Sequence, residues 1–483
     1  MNKKVVVFIT LILVMPAFSI AGEKEDELIA KVVLAYGGDA LINLSNYKVD
    51  EKYLSLTVGQ GHSPALMEVG RSNQVLHHDI INNKVAYDSW NEGRGGGNQG
   101  ATIVNGETAY AVNFAAGTYG DANSADPYAI AGGTMRTSDT ILVRELHKAK
   151  DNASLLADEK YMNRLHHILE VPFPLSPDLK LYIDAETFKV SRMLRVNPQL
   201  GNLDYVFSDY KTHNDISYAS STVFSIAGQP NLISLSRELS FNIEMPENLF
   251  NLPEGMKEEA ERIDTSEMLA TKISDGVFHV GQNGGFSLFI DTSVGTIGVG
   301  GYPGLPDRLE RYRKESDRFQ PLSYQVVTHH HADHLGAVAE AASLGARLVT
   351  VSENVQTIMD SNNGALEDRD FLSISGRATF GLGKSRVEVY EVSTSHSASF
   401  LVTYVPAAKT VFIADHFGSP FASGTPMAGQ GTVDMLAALE ALDVDVRKIA
   451  TAHNARIFSL EDMKKSVAAF KPNTCDGGRP ACL

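Results

Sequence analysis

The chain has 483 residues, which is too long for one ordinary hydrophobic core, so two domains of roughly 200 to 250 residues each are expected. Hydrophobic residues make up 43% and charged residues 21%, a composition that excludes both wholesale disorder and a protein with many membrane spans. The formal net charge of -16 argues against nucleic acid as a partner, because phosphate binding needs a basic surface, and leaves a small molecule as the expected ligand.

The N-terminus has the three parts of a secretory signal peptide. Lys3 and Lys4 precede the mostly apolar run 5–14, and the small residues Ser19 and Ala21 follow. The alternative is an uncleaved membrane anchor, which needs about 20 apolar residues, roughly twice the length of this run. We therefore predict a signal peptide over residues 1–21, cleaved after Ala21, and a periplasmic or secreted protein that is not stably inserted in a membrane.

Residues 22–262 are predicted to form a mainly antiparallel β domain. A short amphipathic helix comes first and ends at Gly37 and Gly38, since glycine accepts the left-handed conformation that ends many helices. Two strands are predicted over 179–196, with a turn between them. Over 233–243 apolar residues recur with period two, which is typical of a strand with one buried face. Proline, glycine and charged residues over 246–262 predict a connecting segment.

Two motifs of this β domain are predicted to be structural. Residues 92–100 are rich in glycine, but no strand–turn–helix pattern surrounds them, so a hairpin or surface loop is predicted instead of a dinucleotide-binding loop. The pairs 77–78 and 166–167 are adjacent histidines, whose side chains would point to opposite faces of a strand. We expect them to be surface or core histidines and not metal ligands.

Residues 263–472 are predicted to form a second domain in which strands alternate with helices. The expected strands are 289–290, 324–328, 348–351, 400–405, 410–413 and 448–450, and the expected helices are 337–344 and 435–442. The chain as a whole is therefore predicted to be α+β. Substrate specificity is expected to come from the loops 300–313, 359–373 and 417–431.

The only two cysteines, Cys475 and Cys482, lie in the C-terminal tail, residues 473–483. In an oxidising compartment, a close pair around a turn predicts a disulfide-closed loop. A redox pair or metal thiolates are the alternatives, but the spacing is too wide for a Cys-x-x-Cys motif and no histidine accompanies it.

Residues 328–334, Thr-His-His-His-Ala-Asp-His, carry the strongest chemical signal of the sequence. The motif directly follows the predicted strand 324–328, and three further donors come just beyond strands or in short loops. Ligands of a divalent cation must converge rigidly, and loops at the ends of strands achieve this. The predicted metal ligands are His329, His331, Asp333, His334, His396, Asp415 and His453.

In this ligand order the chain resembles the metallo-β-lactamase superfamily, whose motif is His-x-His-x-Asp-His followed by a distant His, an Asp and a final His. The match covers roughly residues 274 to 470. The resemblance implies an αββα sandwich for the second domain and two bound metal ions. It also implies three groups of ligands: His329, His331 and His396 for the first metal; Asp333, His334 and His453 for the second; and Asp415 bridging both. His330 occupies a variable position and is not counted as a ligand.

The same residues have a direct chemical logic. Two zinc ions about 3.5 to 4 Å apart can share a hydroxide, lower the pKa of that bridging water towards neutrality, and polarise the bond that is attacked. The expected enzyme is therefore a metal-dependent hydrolase of an ester, thioester, lactone or related bond, with Asp333 as the expected catalytic residue. His416 and Asn454 lie next to ligands and are either proton shuttles, substrate contacts or structural residues.

Two further features of the chain, its bridging aspartate and its first domain, resemble particular groups of proteins. A bridging aspartate such as Asp415 is typical of the glyoxalase II, lactonase, phosphodiesterase and sulfatase relatives and not of the β-lactamases. The first domain resembles the curved antiparallel sheet of periplasmic lipoprotein carriers, which some exported members carry ahead of the hydrolase domain. Such a sheet would offer an apolar concavity for an acyl chain.

Two other function classes remain open from the sequence. Sulfur dioxygenase relatives bind one iron with two His and one Asp, and flavodiiron relatives bind two irons but have Glu where this chain has His331. The third possibility is a periplasmic binding module whose metal is structural. Structural zinc sites are usually closed, four-coordinate and often rich in thiolates, so a ligand set without thiolates favours catalysis.

Overall fold

The computed structural model describes residues 21–128, 130, 138–172, 179–198, 200–472, 475 and 478–482. Residues 1–20, which form nearly all of the expected signal peptide, lie outside the described residues, so export stays a prediction. In the described part of the chain, no helix combines the length and the apolar character that crossing a membrane requires.

Helices and strands are both abundant, which confirms the predicted α+β class. The helices of the described residues include Ala21–Ala35, Asp39–Ile42, Asp139–Lys148, Leu305–Ser316, Val338–Ser343, Ser352–Ser361, Gln430–Ala441 and Leu460–Ala469. The earlier strands are β1 (Asn46–Thr57), β2 (Glu68–Asp79), β3 (Lys84–Gly93), β4 (Gly96–Asn105), β5 (Thr108–Asn113), β6 (Thr118–Asp121), β7 (Ser154–Leu155), β8 (Glu159–Tyr161), β9 (Arg164–Val171), β10 (Leu179–Asp184), β11 (Val190–Asn197), β12 (Gly201–His213), β13 (Ile216–Ile226), β14 (Gln229–Phe241) and β15 (Lys257–Glu258). The later strands are β16 (Leu269–Ser274), β17 (Val277–Gln282), β18 (Gly285–Thr292), β19 (Gly295–Val299), β20 (Leu322–Val326), β21 (Arg347–Val351), β22 (Phe371–Ile374), β23 (Arg377–Phe380), β24 (Val387–Val392), β25 (Phe400–Val405), β26 (Thr410–Phe412), β27 (Lys448–Ala450) and β28 (Phe458–Ser459).

The chain forms two compact units. The first contains the described residues of 1–48, 126–230 and 238–244, and the second contains those of 49–125, 231–237 and 245–483. The second unit thus joins the strands of 49–125 with the region that carries the predicted ligands. The domain limits expected from the sequence, 22–262 and 263–472, stay a prediction.

In the first unit, β13, β12, β11, β10, β9 and β7 lie side by side in that order, each antiparallel to the next. The two strands predicted over 179–196 are β10 and β11. The helix Ala21–Ala35 buries Ile29 and Val32 on its apolar face, and Gly37 follows it with φ 123°, which confirms the predicted helix end. The unit is therefore an antiparallel sheet with short helices.

In the second unit, β15, β6, β5, β4, β3, β2 and β1 form one run of neighbouring strands. The glycine-rich segment 92–100 is the hairpin between β3 and β4, one of the two structures expected for it. The predicted connecting segment 246–262 differs from expectation because it contains β15, which pairs in parallel with β6. This pairing uses backbone groups, such as Lys257 N donating to Gly117 O at 3.0 Å, and backbone pairing leaves little trace in a side-chain pattern.

The remaining strands of the second unit form two sheets, β16 to β22 and β23 to β28, each in chain order. One hydrophobic cluster contains residues of both sheets, including Val326 and Val402, together with Met435 and Met463 of two helices. A second cluster packs the helices Leu305–Ser316 and Val338–Ser343 against the first of these sheets. Each strand and helix predicted for 263–472 has a counterpart in these elements.

A disulfide joins Cys475 and Cys482, as the spacing predicts. The loop that it closes is anchored by Arg479, whose Nε and Nη2 donate to the buried carboxylate of Asp88 at 2.6 and 2.9 Å. The anchored loop favours a structural disulfide, and neither cysteine belongs to the groups of candidate metal ligands described below.

Candidate metal centre

The predicted donors lie in four loops that each follow a strand. Residues 329–334 come after β20, while His396, Asp415 and His453 come after β24, β26 and β27. The strands β24 and β26 are both antiparallel to β25, and β26 and β27 are parallel, so all three run in the same direction. Their carboxyl ends therefore meet at one edge of the sheet, which brings together donors that are far apart in the sequence.

The first group of donors consists of His329, His331, His396 and Asp415, whose ligand atoms lie within 4.8 Å of one another. His329 Nε2 and His396 Nε2 lie 3.2 and 2.9 Å from Asp415 Oδ2. His329 and His331 are almost completely buried, with relative exposures of 0% and 1%. These are the three histidines that the resemblance implies for the first metal, together with the bridging aspartate.

The second group consists of Asp333, His334 and His453, whose ligand atoms also lie within 4.8 Å of one another. His334 Nε2 is 3.3 Å from Asp333 Oδ2 and 2.9 Å from Asp415 Oδ1. His453 Nε2 is 2.8 Å from the same oxygen of Asp415. Asp415 thus directs Oδ2 towards the first group and Oδ1 towards the second, which is the arrangement of a bridging carboxylate.

The polar atoms of these groups fit two bound cations. Among the described residues, His331 Nδ1 is buried without a hydrogen-bond partner, and His334 Nε2 and Asp415 Oδ1 lie 2.9 Å apart without hydrogen-bond geometry. A buried polar atom without a partner is costly, so such atoms concentrated in one place indicate a missing ligand. The donor set contains imidazoles and carboxylates and no thiolate, which suits a divalent ion such as Zn²⁺.

The protonation states of most of these residues also suit metal binding. Burial lowers the pKa of His331 to about 4 and holds the pKa of His329 well below its ordinary value. Burial alone would raise the pKa of Asp415, but His334 and the other imidazoles hold it well below its usual range. For His334, burial acts to lower the pKa, but Asp415 and Asp333 outweigh it and raise the pKa. Neutral imidazoles and ionised carboxylates are the forms that bind a cation.

Tyr302 is a residue of the site that sequence reasoning missed. Its Oη lies 2.7 Å from His453 Nδ1 and 3.3 Å from Asp333 Oδ2. Burial, followed by the charges of Asp333 and Asp415, raises its pKa, so the phenol is protonated at neutral pH. The available signal was its place in the loop 300–313, which was expected to influence specificity, but no motif marked this position.

The other histidines singled out in the sequence lie outside both donor groups. His330 Nε2 donates to the carbonyl of Gly61 at 3.0 Å, in agreement with its exclusion from the ligand set. His416 has both ring nitrogens engaged, with Thr394 Oγ1 at 2.9 Å and Ile413 O at 3.0 Å, which favours its structural role. Four more also lie outside both groups: His77, His78, His166 and His167. Asn454 also lies outside both groups and packs beside Gly418, where an added side chain would collide with its amide.

A cavity of about 420 Å³ opens beside the first donor group. His331, His396 and Asp415 contribute to its wall, and so does the loop 417–431, which was expected to influence specificity. The loop 359–373 contributes no residue to this wall. Part of the wall was not expected, because it comes from the region before residue 125 and consists of Gln60, Glu68, Arg94 and Gly95.

No model of a known protein family matches the chain. A curated protein of Staphylococcus haemolyticus (strain JCSC1435), named a UPF0173 metal-dependent hydrolase, is 35% identical to the chain over 79 residues. These residues are 16% of this chain and 32% of that protein, so the chain spans about a third of the length of this curated relative.

Several solved structures are similar to less than half of the chain. A metallo-β-lactamase from Pontibacter korlensis is 19% identical, with a TM-score of 0.34, and the match covers 42% of this chain and 98% of that one. The flavodiiron core of Flv1 from Synechocystis sp. PCC6803 is 12% identical, with a TM-score of 0.35, covering 42% and 60%. An archaeal metallo-β-lactamase superfamily protein from Sulfolobus tokodaii is 15% identical, with a TM-score of 0.30, covering 40% and 86%. At these identities and TM-scores, the likenesses assign no activity.

Proposed function

We propose that the chain is an exported binuclear metal hydrolase with the αββα fold of the metallo-β-lactamase superfamily. Its proposed substrate is a small molecule with an ester, thioester, lactone or related bond. The observation that carries the proposal is the position of Asp415, whose two oxygens face two separate groups of donors within 3.2 Å. A single structural metal would need only one of these groups.

The residues present would hold two ions, for which we propose Zn²⁺. His329, His331 and His396 would bind one, Asp333, His334 and His453 the other, and Asp415 both. When bound, such a pair supplies Lewis acidity and a water molecule with a lowered pKa. The cavity beside the first group would receive the substrate, and its volume of about 420 Å³ suits a small molecule.

The chain's own residues contribute orientation and the handling of protons. Asp333 is the proposed catalytic carboxylate, because its side chain is 40% exposed and its Oδ2 faces His334, His453 and Tyr302. A carboxylate in this place can accept a proton from water. The hydroxyl of Tyr302 can donate a hydrogen bond to an oxygen of the substrate as negative charge develops there.

Two further observations support parts of this proposal. The similarity to a protein named as a metal-dependent hydrolase supports the reaction class, although it covers only 79 residues. Export rests on the N-terminal sequence, with its two lysines and short apolar run. The proposed carrier-like role of the first β domain rests on sequence resemblance alone.

Elemental analysis of the purified, mature protein tests the proposal. Two zinc ions per chain, together with metal-dependent hydrolysis in a screen of thioesters, lactones, phosphodiesters and sulfate esters, would support it. A single iron per chain would favour oxygen-dependent sulfur chemistry instead. A protein without metal would favour the binding module.

A further inference from the structure

The segment 59–62, which connects β1 to β2, contacts both loops that carry the first donors. On the loop 329–334, Ala332 N donates to Gly59 O at 3.2 Å, and Gln60 Nε2 donates to Asp333 Oδ1 at 2.9 Å. On the loop around His396, His62 Nε2 lies 3.0 Å from Thr394 O, and Ala398 N donates to His62 O at 2.8 Å. The segment therefore ties together two ligand loops that are distant in the sequence.

The carbonyl of Gly61 fixes the orientation of a predicted ligand. His331 Nε2 donates to this carbonyl at 3.0 Å, and a neutral imidazole carries only one N–H. The hydrogen bond therefore selects the tautomer in which Nδ1 of His331 is the acceptor, and this Nδ1 is the buried atom without a hydrogen-bond partner. A hydrogen bond from the second ring nitrogen of a ligating histidine orients the ring and sets its basicity.

The segment is itself held in place. Arg94 Nη2 donates to Gln60 O at 3.1 Å and pairs with Glu68 at 2.6 Å. Gly61 has no room for a side chain, because an added Cβ would collide with the backbone carbonyl of Leu66. The backbone at Gln60 and the Gly61 carbonyl that faces His331 are thus held in place.

We propose that the segment 59–62 positions the ligands of the metal centre, with Gln60 acting on Asp333 and Gly61 acting on His331. The inference rests on the proposed function, since it assigns to this segment a part in binding the two metals. It gives the region 49–125 a specific role: the connection between β1 and β2 supplies hydrogen bonds without which the donors at the strand ends would be less well oriented.

Titration of the full-length, chelator-treated protein with cobalt(II), followed by visible absorption and calorimetry, tests this role without using activity. Gln60→Met keeps the length of the side chain and removes the amide donor. We expect the variant to bind the second cobalt ion about ten- to hundredfold more weakly, with an altered cobalt spectrum, while the first binding step stays unchanged. Gly61→Ala should instead weaken the first step, because it displaces the carbonyl from His331.

The matched control is Gln356→Met. Gln356 Nε2 also donates to a carboxylate, that of Asp360 at 2.7 Å, but on an exposed helix surface away from the donors. This variant should bind both ions as the wild type does. Wild-type protein that binds two cobalt ions, with Gln60→Met unchanged in both affinity and spectrum, would overturn the inference and leave the proposed function standing. Wild-type protein that binds no cobalt would overturn both.

Discussion

The two donor groups of the candidate metal centre differ in how far they are exposed to solvent. Each group has a fully buried histidine, His329 in the first and His334 in the second. The most exposed donor of the first group is His396, whose side chain is 28% exposed, whereas in the second the side chains of Asp333 and His453 are 40% and 39% exposed. Exposed donors are held less firmly by packing than buried donors are, so we expect the second group to exchange its ion more readily than the first. We infer that the first group provides the tighter site.

The largest effect is expected from Asp415→Ala, because this carboxylate is shared by both groups. We expect activity to fall by about three orders of magnitude, and metal content to fall below two ions per chain. The measurement is kcat/KM on the best substrate of the screen, together with elemental analysis. His78→Ala is the control, since His78 lies outside both groups. Full activity with two metals in Asp415→Ala would show that the ligand assignment is wrong.

The comparison between the groups is tested directly by His331→Ala and His453→Ala. Removal of the buried donor should lower the affinity for the first ion and reduce activity by about a hundredfold or more. The loss of His453 should affect only the second ion and reduce activity by about tenfold to a hundredfold. Stepwise metal titration of both variants distinguishes the steps. If each of the two variants weakened both binding steps equally, this would contradict the assignment of His331 and His453 to two donor groups that differ in burial.

His279 contacts the loop that carries His453. The protonation of this buried histidine can be tested by measuring the stability of the protein at different pH values. His279 Nε2 lies 2.8 Å from Thr451 O, and burial lowers the pKa of His279 to about 4. This folded-state pKa lies below the ordinary value of about 6.5, so the unfolded chain takes up a proton first as the pH falls. The free energy of unfolding should therefore decrease by about 2 kcal/mol between pH 7 and pH 5 because of this residue.

Urea denaturation of chelator-treated wild type and His279→Gln at the two pH values measures this contribution. The variant has no titrating group at this position, so its free energy of unfolding should decrease by about 2 kcal/mol less than that of the wild type. Parallel pH dependences would mean that His279 is not held neutral by burial.

The smallest effect is expected from Tyr302→Phe, which changes the surroundings of the second donor group without removing a ligand. The hydroxyl contacts His453 and Asp333, so its loss should lower kcat by about tenfold and leave both metals bound. Steady-state kinetics and elemental analysis of the same preparation measure both quantities. Loss of the second metal would instead make Tyr302 a positioning residue of His453.

Much of the fold and of the donor set could be predicted from local sequence. Several elements of 263–472 could be predicted from apolar runs, because a strand or helix buries a regular pattern of side chains. Others, such as β16, β17 and the helix Leu305–Ser316, were not predicted. Except for His396, before which no strand was predicted, each predicted donor follows such a run, so its place at the end of a strand could be read without knowing the fold. The predictions of a signal peptide and of the pairing of Cys475 with Cys482 also rest on short stretches of sequence. Of these two features, only the disulfide lies among the described residues.

The sequence by itself thus determined the α+β class, the helix end at Gly37 and the donors grouped about Asp415. Only the tertiary structure decided which residues orient these donors. Gln60 is 273 positions from Asp333, and Gly61 is 270 positions from His331. Their roles depend on a backbone carbonyl and on the path of a loop, neither of which produces a side-chain pattern. Tyr302 was missed for the same reason, because a hydrogen bond across 151 positions is a property of packing and not of spacing.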